Sequence, residues 1–453
     1  MHVRELPWIE PITAMRRLAH RAHLSFLDSA AKHQSLGRYS YLACDPFAAF
    51  IVTDGKASCN GKVLEGDPWE ALRALLARYG QEHRPDLPPF QGGAAGFLAY
   101  DLNRTLERLP VPQSSDRRWP DAILNLYDVV VSFDHRDNRC WLVSSGWPEQ
   151  DPARRSKRSL RRGNELAALL MISKISANSS RRTSGPWHSN FSREGYIAAA
   201  KRAIDFVLAG DVFQVNVAQR FTAKLSESFD PVDFYCRLRA LNAAPFAALL
   251  RYGRLTLASS SPERFLKLDG RQVETRPIKG TIARSTDFSE DRHRAERLLA
   301  SAKDRAENVM IVDLLRKDLS RVCTSDSVEV PVLCGLESYA SVHHLVSVVT
   351  GELAADQDAV TLLRACFPGG SITGAPKLRS MELIADIERV PREVYSGVIG
   401  FIGFNGQMDT NIAIRTVMLD DKRAVFHAGS GITALSAPET EYEETLAKAQ
   451  RNL

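Results

Sequence analysis

A chain of 453 residues, 44% hydrophobic and 25% charged, can bury one large core or two to three smaller ones, which excludes a disordered chain. Its net charge of +5 is mild for this length and suits anionic small-molecule substrates without calling for nucleic acid. No apolar run approaches the roughly 18 residues of a membrane span. "MHVRELPWIE" has no signal-peptide core, and the scattered cysteines (Cys44, Cys59, Cys140, Cys236, Cys323, Cys334, Cys366) form no C-x-x-C pair, so a cytoplasmic protein with reduced cysteines and no membrane partner is expected.

Residues 1–147 mix strand-like runs, "AAFIVT", "NLYDVVVSF" and "CWLVSS", with one helical stretch, "DPWEALRALLARYG", which Asp67 caps and Gly80 stops. This is an α+β pattern. Residues 148–189 shift to "PEQDPARRSKRSLRRGNE" and "SKISANSSRRTSGP", which predicts an Arg/Ser/Pro-rich linker with a short helix at "NELAALLMI". The basic run from Arg154 to Arg162 has no aromatic between its charges for base stacking, so it reads as a solvated linker face.

Residues 190–453 carry stronger signals. "SREGYIAAAKRAIDFVLAGD" has helical spacing and a stop at Gly210, and "FQVNVAQRF" alternates like a strand. "RLTLASSSPERFLKLDGRQVETRPIKG" reads as a meander with a hairpin at Asp269-Gly270, which puts Lys279 just beyond the end of a strand. One or two helices fill "DRHRAERLLASAKDRAENVMIVDLLRKDLSRV". "VYSGVIGFIGF", "TNIAIRTVML" and "RAVFHAG" follow as consecutive strands, then a last helix at "APETEYEETLAKAQRN".

Several stretches carry chemistry, each with a bland counterpart. In "TRPIKGTIAR", Pro277 stiffens the backbone on one side of Lys279 and Gly280 opens it on the other, presenting an amine on a turn; a solvated loop lysine would look the same. "FPGGSITGAPKLRSMELI" is a loop-to-helix junction whose free N–H groups can receive an anion, although a purely structural junction explains it equally well. In "HAGSGI" the amides of Gly429, Ser430 and Gly431 can form a carboxylate nest, as any tight turn can. Glu307, Glu441, Glu443 and Glu444 sit on helical stretches, and two carboxylates from distant helices are enough for Mg²⁺. Glu263, in "SSSPERF", precedes Lys279 across a hairpin and can pair with it as acid or base, or merely as a salt bridge.

Together these segments resemble the chorismate-utilising enzymes, a family that includes anthranilate synthase, isochorismate and salicylate synthases, and component I of aminodeoxychorismate synthase. "SPERF", "RPIKGT", "KDRAENVMIVDLLRKDLSR", "HHLVSVVTGEL", "FPGGSITGAPKLRSMELI", "YSGVIGF", "IAIRT" and "AGSGI" occur in the family's order over about 190–450. "FLDSA" and "GRYSYLACDP" extend a weaker likeness over residues 1 to about 145. The resemblance implies an α+β fold, a large antiparallel β-sandwich flanked by helices, with the site in a cleft and the N-terminal region packed onto the rest. Lys279 stands where anthranilate synthases place alanine and aminodeoxychorismate synthases lysine. Gln214 stands where water-using members place a lysine. Both imply amination of chorismate at C4, with an anthranilate synthase component I as the rival.

By the same resemblance Lys279 is the nucleophile and Glu263 the acid, while Glu307 and Glu444 match Mg²⁺ ligands. Tyr395, Arg415, Gly429, Ser430 and Gly431 match positions around the enolpyruvyl carboxylate, and His344 and Ser371 positions near C4. A separate glutamine amidotransferase subunit, component II, would supply ammonia. Lys317, Ser430 and Ala283 depart from the family's usual asparagine, glycine and proline, and "FLDSA" leaves a tryptophan pocket open.

Overall fold

Short β-branched and aromatic runs, punctuated by turn residues, fold into two broad sheets in the computed structural model, which describes residues 1–31, 36–114, 116, 118–172 and 185–450. Among the described residues each sheet has twelve strands, and every pairing is antiparallel. The sheets lie face to face: Phe97, Ile123 and Ile399 of one meet Leu250, Leu257 and Met418 of the other in a buried cluster. Helices cover the outer faces. Pro11–Leu18, Pro152–Ile172 and Pro231–Leu241 pack on the first sheet, and Pro68–Ala77, Ala302–Leu319 and Ala359–Cys366 on the second. Their starts follow local chemistry, with Asp67, Ser192, Asp287, Ser301 and Asp358 accepting first-turn amides. No helix among the described residues is long and apolar enough to cross a membrane.

The expected α+β sandwich is present, but residues 1–147 are not a layer packed onto it. They extend both sheets: Leu24–Asp28 pairs with Phe246–Tyr252, and Gly93–Leu98 pairs with Val398–Gly403. The stretch expected as a linker also differs. Pro152–Ile172 is a 21-residue helix whose Leu166, Ala167 and Leu170 join the core of the first sheet. Two of its basic residues are not solvated in the expected way, because Arg158 and Arg162 both reach the fully buried carboxylate of Asp128, at 3.1 and 3.2 Å. Composition hid a face in which charge binds charge. Residues 173–184 of the expected linker lie outside the described residues, and its end, His188–Ser189, pairs with Gln214–Lys224.

Two of the short crossings between the sheets bear on the cleft. Pro262 and Glu263 connect Leu255–Ser261 of the first sheet to Arg264–Asp269 of the second, and Ala413–Arg415 returns from Met408–Ile412 to Thr416–Leu419. They run side by side: the Ser261 hydroxyl donates to Ile412 O (2.6 Å), Ile412 N to Glu263 O (3.1 Å) and Ser260 N to Arg415 O (3.0 Å). "TNIAIRTVML" is therefore two strands in two sheets, not one, with Arg415 in a left-handed conformation (φ 49°) at the corner.

Replacing Asp128 by alanine leaves two guanidinium groups without their buried partner. Asp128→Ala is expected to lower unfolding free energy by about 3 kcal/mol, read from the urea midpoint, against less than about 0.5 kcal/mol for Lys157→Ala on the exposed side of the same helix.

Candidate active site

Lys279 owes its position to a β-bulge. In the strand Ile278–Ala283, Ile278 faces Val346 and Thr281 faces His344, so Lys279 and Gly280 together oppose the single residue Leu345. Gly280 adopts φ +82°, and a side chain there would press on Asp304 and Leu298 at 3.0 Å. The lysine is thus inside a strand rather than beyond one, displaced by the bulge toward a cavity of about 510 Å³. The site residues named from the sequence, Gln214 and Glu443 excepted, line that cavity.

The paired crossings deliver Glu263 and Arg415 to its wall. Burial pushes the Glu263 carboxyl up to about 7, against the opposing pull of the Ser371 hydroxyl, the Lys279 charge, the Ile278 amide and Arg415. Burial also lowers the Lys279 amine, while Glu307 and Glu263 pull it back up. An acid that holds its proton near neutrality and an amine biased toward its neutral form therefore share one cleft. His344, across from Thr281, bonds the Thr281 hydroxyl through Nδ1 (2.7 Å).

The opposite wall is the strand Arg423–Ile432, paired with Gln214–Lys224. Here glycine is required by space. A Cβ on Gly429 would stand 2.9 Å from the Tyr395 hydroxyl, and one on Gly431 would stand 2.1 Å from Gln214 Nε2 and 3.7 Å from Lys279 Nζ. Gln214 is buried behind Gly431 rather than on the cavity wall. Of "FPGGSITGAPKLRSMELI" only Ser371 and Ile372 reach the cavity; the first turn of Lys377–Glu388 does not, and Lys377 is bound to Asp318 and the Cys366 carbonyl. The anion site expected at that helix start is absent from the wall.

Carboxylates gather at the remaining side. Glu307 comes from Ala302–Leu319, and Glu441 and Glu444 from Pro438–Gln450. Burial raises Glu307, opposed by Lys279 and Lys303, and its buried Oε1 has no hydrogen-bond partner, only the Lys303 charge at 4.0 Å. Burial also works to raise Glu444, but Lys448 at 2.7 Å, with Lys303 and Lys279, holds it below the usual carboxylate range. Glu441 is occupied by the Ser430 and Ser436 hydroxyls, with Lys303 at 3.5 Å. Among the described residues no three His, Cys, Asp or Glu side chains are grouped as a metal site. Two carboxylates, one with a buried oxygen that accepts no hydrogen bond, nonetheless suit a hard cation that completes its shell with water and ligand oxygens.

Sequence reasoning passed over Lys303, Lys448, Asn216 and His427, which also line the cavity. The lysines are the counter-charges of the glutamates, which spacing alone does not reveal. Lys448 follows Glu444 by one helical turn, a signal that could have found it. Lys317 is exposed on its helix, so the family's usual asparagine there has no buried contact to replace. A second cavity, about 560 Å³, lies between the sheets with Asp28 and Ser29 of "FLDSA" on its wall; Asp28 already accepts from Tyr235 (2.9 Å) and Arg239 (2.6 Å).

A family model described as "chorismate binding enzyme" matches residues 23–453. The chain belongs to this family of chorismate-binding enzymes. It is 39% identical over 444 residues to aminodeoxychorismate synthase component 1 of Escherichia coli, covering 96% of this chain and 94% of that one. It is also 39% identical over 446 residues to anthranilate synthase component 1 of Thermus thermophilus, covering 97% and 94%. The crystal structure of anthranilate synthase component I from Streptococcus pneumoniae matches with a TM-score of 0.82 at 30% identity, over 93% of this chain and 95% of that one. Chorismate is the family's substrate; relatives of both names at equal identity leave the reaction to the chemistry of the site.

The Glu263 shift has a definite sign in stability. A carboxyl raised from 4.5 to about 7 makes the folded chain bind more protons than the unfolded one between those values, so its contribution is complete below the lower value and lost on the way up. From pH 5 to 8 the wild type is expected to lose roughly 2–3 kcal/mol of unfolding free energy relative to Glu263→Gln, measured by urea midpoints across pH.

Proposed function

We propose that this enzyme aminates chorismate at C4 with ammonia delivered by a separate glutamine amidotransferase subunit, giving 4-amino-4-deoxychorismate on the route to p-aminobenzoate and folate. The observation that carries the reading is Lys279 itself, an amine set by the bulge at Gly280 into the cavity that Glu263 also lines. Alanine in that place offers no nucleophile.

In the first step neutral Lys279 Nζ bonds to C2 as the two conjugated ring double bonds shift together, C1=C2 to C1=C6 and C5=C6 to C4=C5, and the C4–O bond breaks. Glu263 gives its proton to the departing hydroxyl, which leaves as water. The secondary ammonium on Lys279 returns a proton to the Glu263 carboxylate. In the second step ammonia bonds to C4, both double bonds shift back and the C2–N bond breaks. One proton of the new C4 ammonium passes to the departing Lys279 nitrogen, so both amines end neutral and Glu263 stays protonated. The sum is chorismate plus ammonia to product plus water, with configuration retained through two displacements. Dividing one difficult substitution into two easier ones is the gain of a covalent nucleophile.

Arg415 and Tyr395, with the amides near Gly429 and Gly431, would hold the enolpyruvyl carboxylate. His344 and Ser371 would stand near C4, and Gln214, with no amine to activate water, would leave C2 unhydrated. Glu307 and Glu444 would hold Mg²⁺, which as a Lewis acid would neutralise the ring carboxylate when bound. Ammonium predominates at neutral pH, which is why delivery of the free base by a partner fits this chemistry; none of the described cysteines lines the cavity to act as a glutaminase nucleophile.

The equal identity to an anthranilate synthase keeps one rival, which would also expel pyruvate. Mass spectrometry of the product from chorismate, Mg²⁺ and ammonium should show 4-amino-4-deoxychorismate; anthranilate fluorescence with no lyase present would assign the rival instead. Lys279→Ala is expected to lose at least about a hundredfold in amination rate, and full retention would refute the covalent role. At constant free ammonia, turnover should fall above about pH 7 as Glu263 loses its proton and fall again in acid as Lys279 gains one.

A further inference from the structure

Strand alternation puts His427, Gly429 and Gly431 on one face of Arg423–Ile432, the face turned to the cavity. The two glycines leave room; His427 is the residue in that row with a side chain. Its ring lies parallel to that of Tyr395, 5.0 Å between centroids at 12°. It is only 2% exposed, yet neither Nδ1 nor Nε2 has a hydrogen-bond partner. Burial, with the Arg220 and Arg392 charges nearby, holds the imidazole well below its usual range and so neutral, leaving one N–H donor and one lone pair.

The Pro391 carbonyl stands near enough to favour a proton on the ring, yet neither nitrogen completes a hydrogen bond. Arg392 is engaged with Glu388, the Ile372 carbonyl and the Asn216 carbonyl, and the Tyr395 ring presents its face. A buried ring nitrogen left unsatisfied is costly, and such groups in folded proteins almost always find a partner. The open direction is the cavity. We infer that His427 is a further substrate-binding residue, its imidazole hydrogen-bonded to an oxygen of the enolpyruvyl group beside Tyr395 and Gly429. This rests on the placement of that group given above.

Equilibrium binding of chorismate, measured calorimetrically without ammonia on the whole chain, tests it. His427→Phe keeps a ring to stack on Tyr395 and removes both nitrogens, and its dissociation constant should rise about ten- to a hundredfold at an unchanged urea midpoint. His427→Gln, which retains a donor and an acceptor, should recover most of that loss. Tyr395→Phe serves as the comparator. If Tyr395→Phe weakens binding while His427→Phe stays within about twofold of wild type, the inference is overturned and the carboxylate wall stands; if neither changes affinity, the wall itself is misplaced and the inference falls with it. Should the Phe variant fail to fold, ¹⁵N resonances of the His427 ring in the wild-type protein decide: movement on adding chorismate supports the contact, and unchanged shifts overturn it.

Discussion

An amine and several carboxyl groups withdrawn from water into one cleft are tolerable only because each stands in the field of the others. A lone buried ion costs several kcal/mol, and here the costs are met by mutual attraction. Glu307 and Glu263 pull the Lys279 amine up against the desolvation that lowers it, and Lys448 overrides burial at Glu444. The members arrive from separate elements: a bulged strand, two inter-sheet crossings and two helices. Their compensation therefore exists only in the folded chain, and no one group has its properties without the rest.

The crossings explain how an acid and a guanidinium on one wall of the cleft keep a fixed separation. Glu263 and Arg415 sit on segments hydrogen-bonded to each other through Ser260, Ser261 and Ile412. Displacing one drags the other. The facing strand is held differently, through glycines whose missing side chains let Tyr395, Gln214 and Lys279 come close. Ser430 adds a tie of its own, fastening that strand to Glu441 on the last helix. Where relatives often have glycine, this chain uses the hydroxyl to fix a carboxylate among the lysines.

What could be seen in the sequence was local. Pro277 and Gly280 around Lys279 announce an irregular backbone, and the structure supplies the bulge that makes it so. Asp67, Asp269-Gly270 and Gly210 end or turn their elements as turn and cap chemistry dictates. What could not be seen depends on partners far away in the chain. Sheet neighbours such as Gly93–Leu98 and Val398–Gly403 share no pattern that names the pair, and the basic first half of the helix over 152–172, before the expected "NELAALLMI", was hidden because Arg158 and Arg162 count as solvated charge until Asp128 is placed beneath them. His427 was legible in principle. Counting by two from Gly429 puts it on the same face, but attention to the amides of "HAGSGI" passed over its side chain.

The N-terminal strands have a consequence for how the chain must be handled as an object. Leu24–Asp28 and Gly93–Leu98 close the flanks of strands that belong to the half bearing the cleft. Severing the chain near residue 190 would strip those flanks bare, leaving rows of N–H and C=O groups in mid-sheet that invite any extended polypeptide to dock. The two halves are woven from the same cloth, and the portion with all the chemistry is not a portable module.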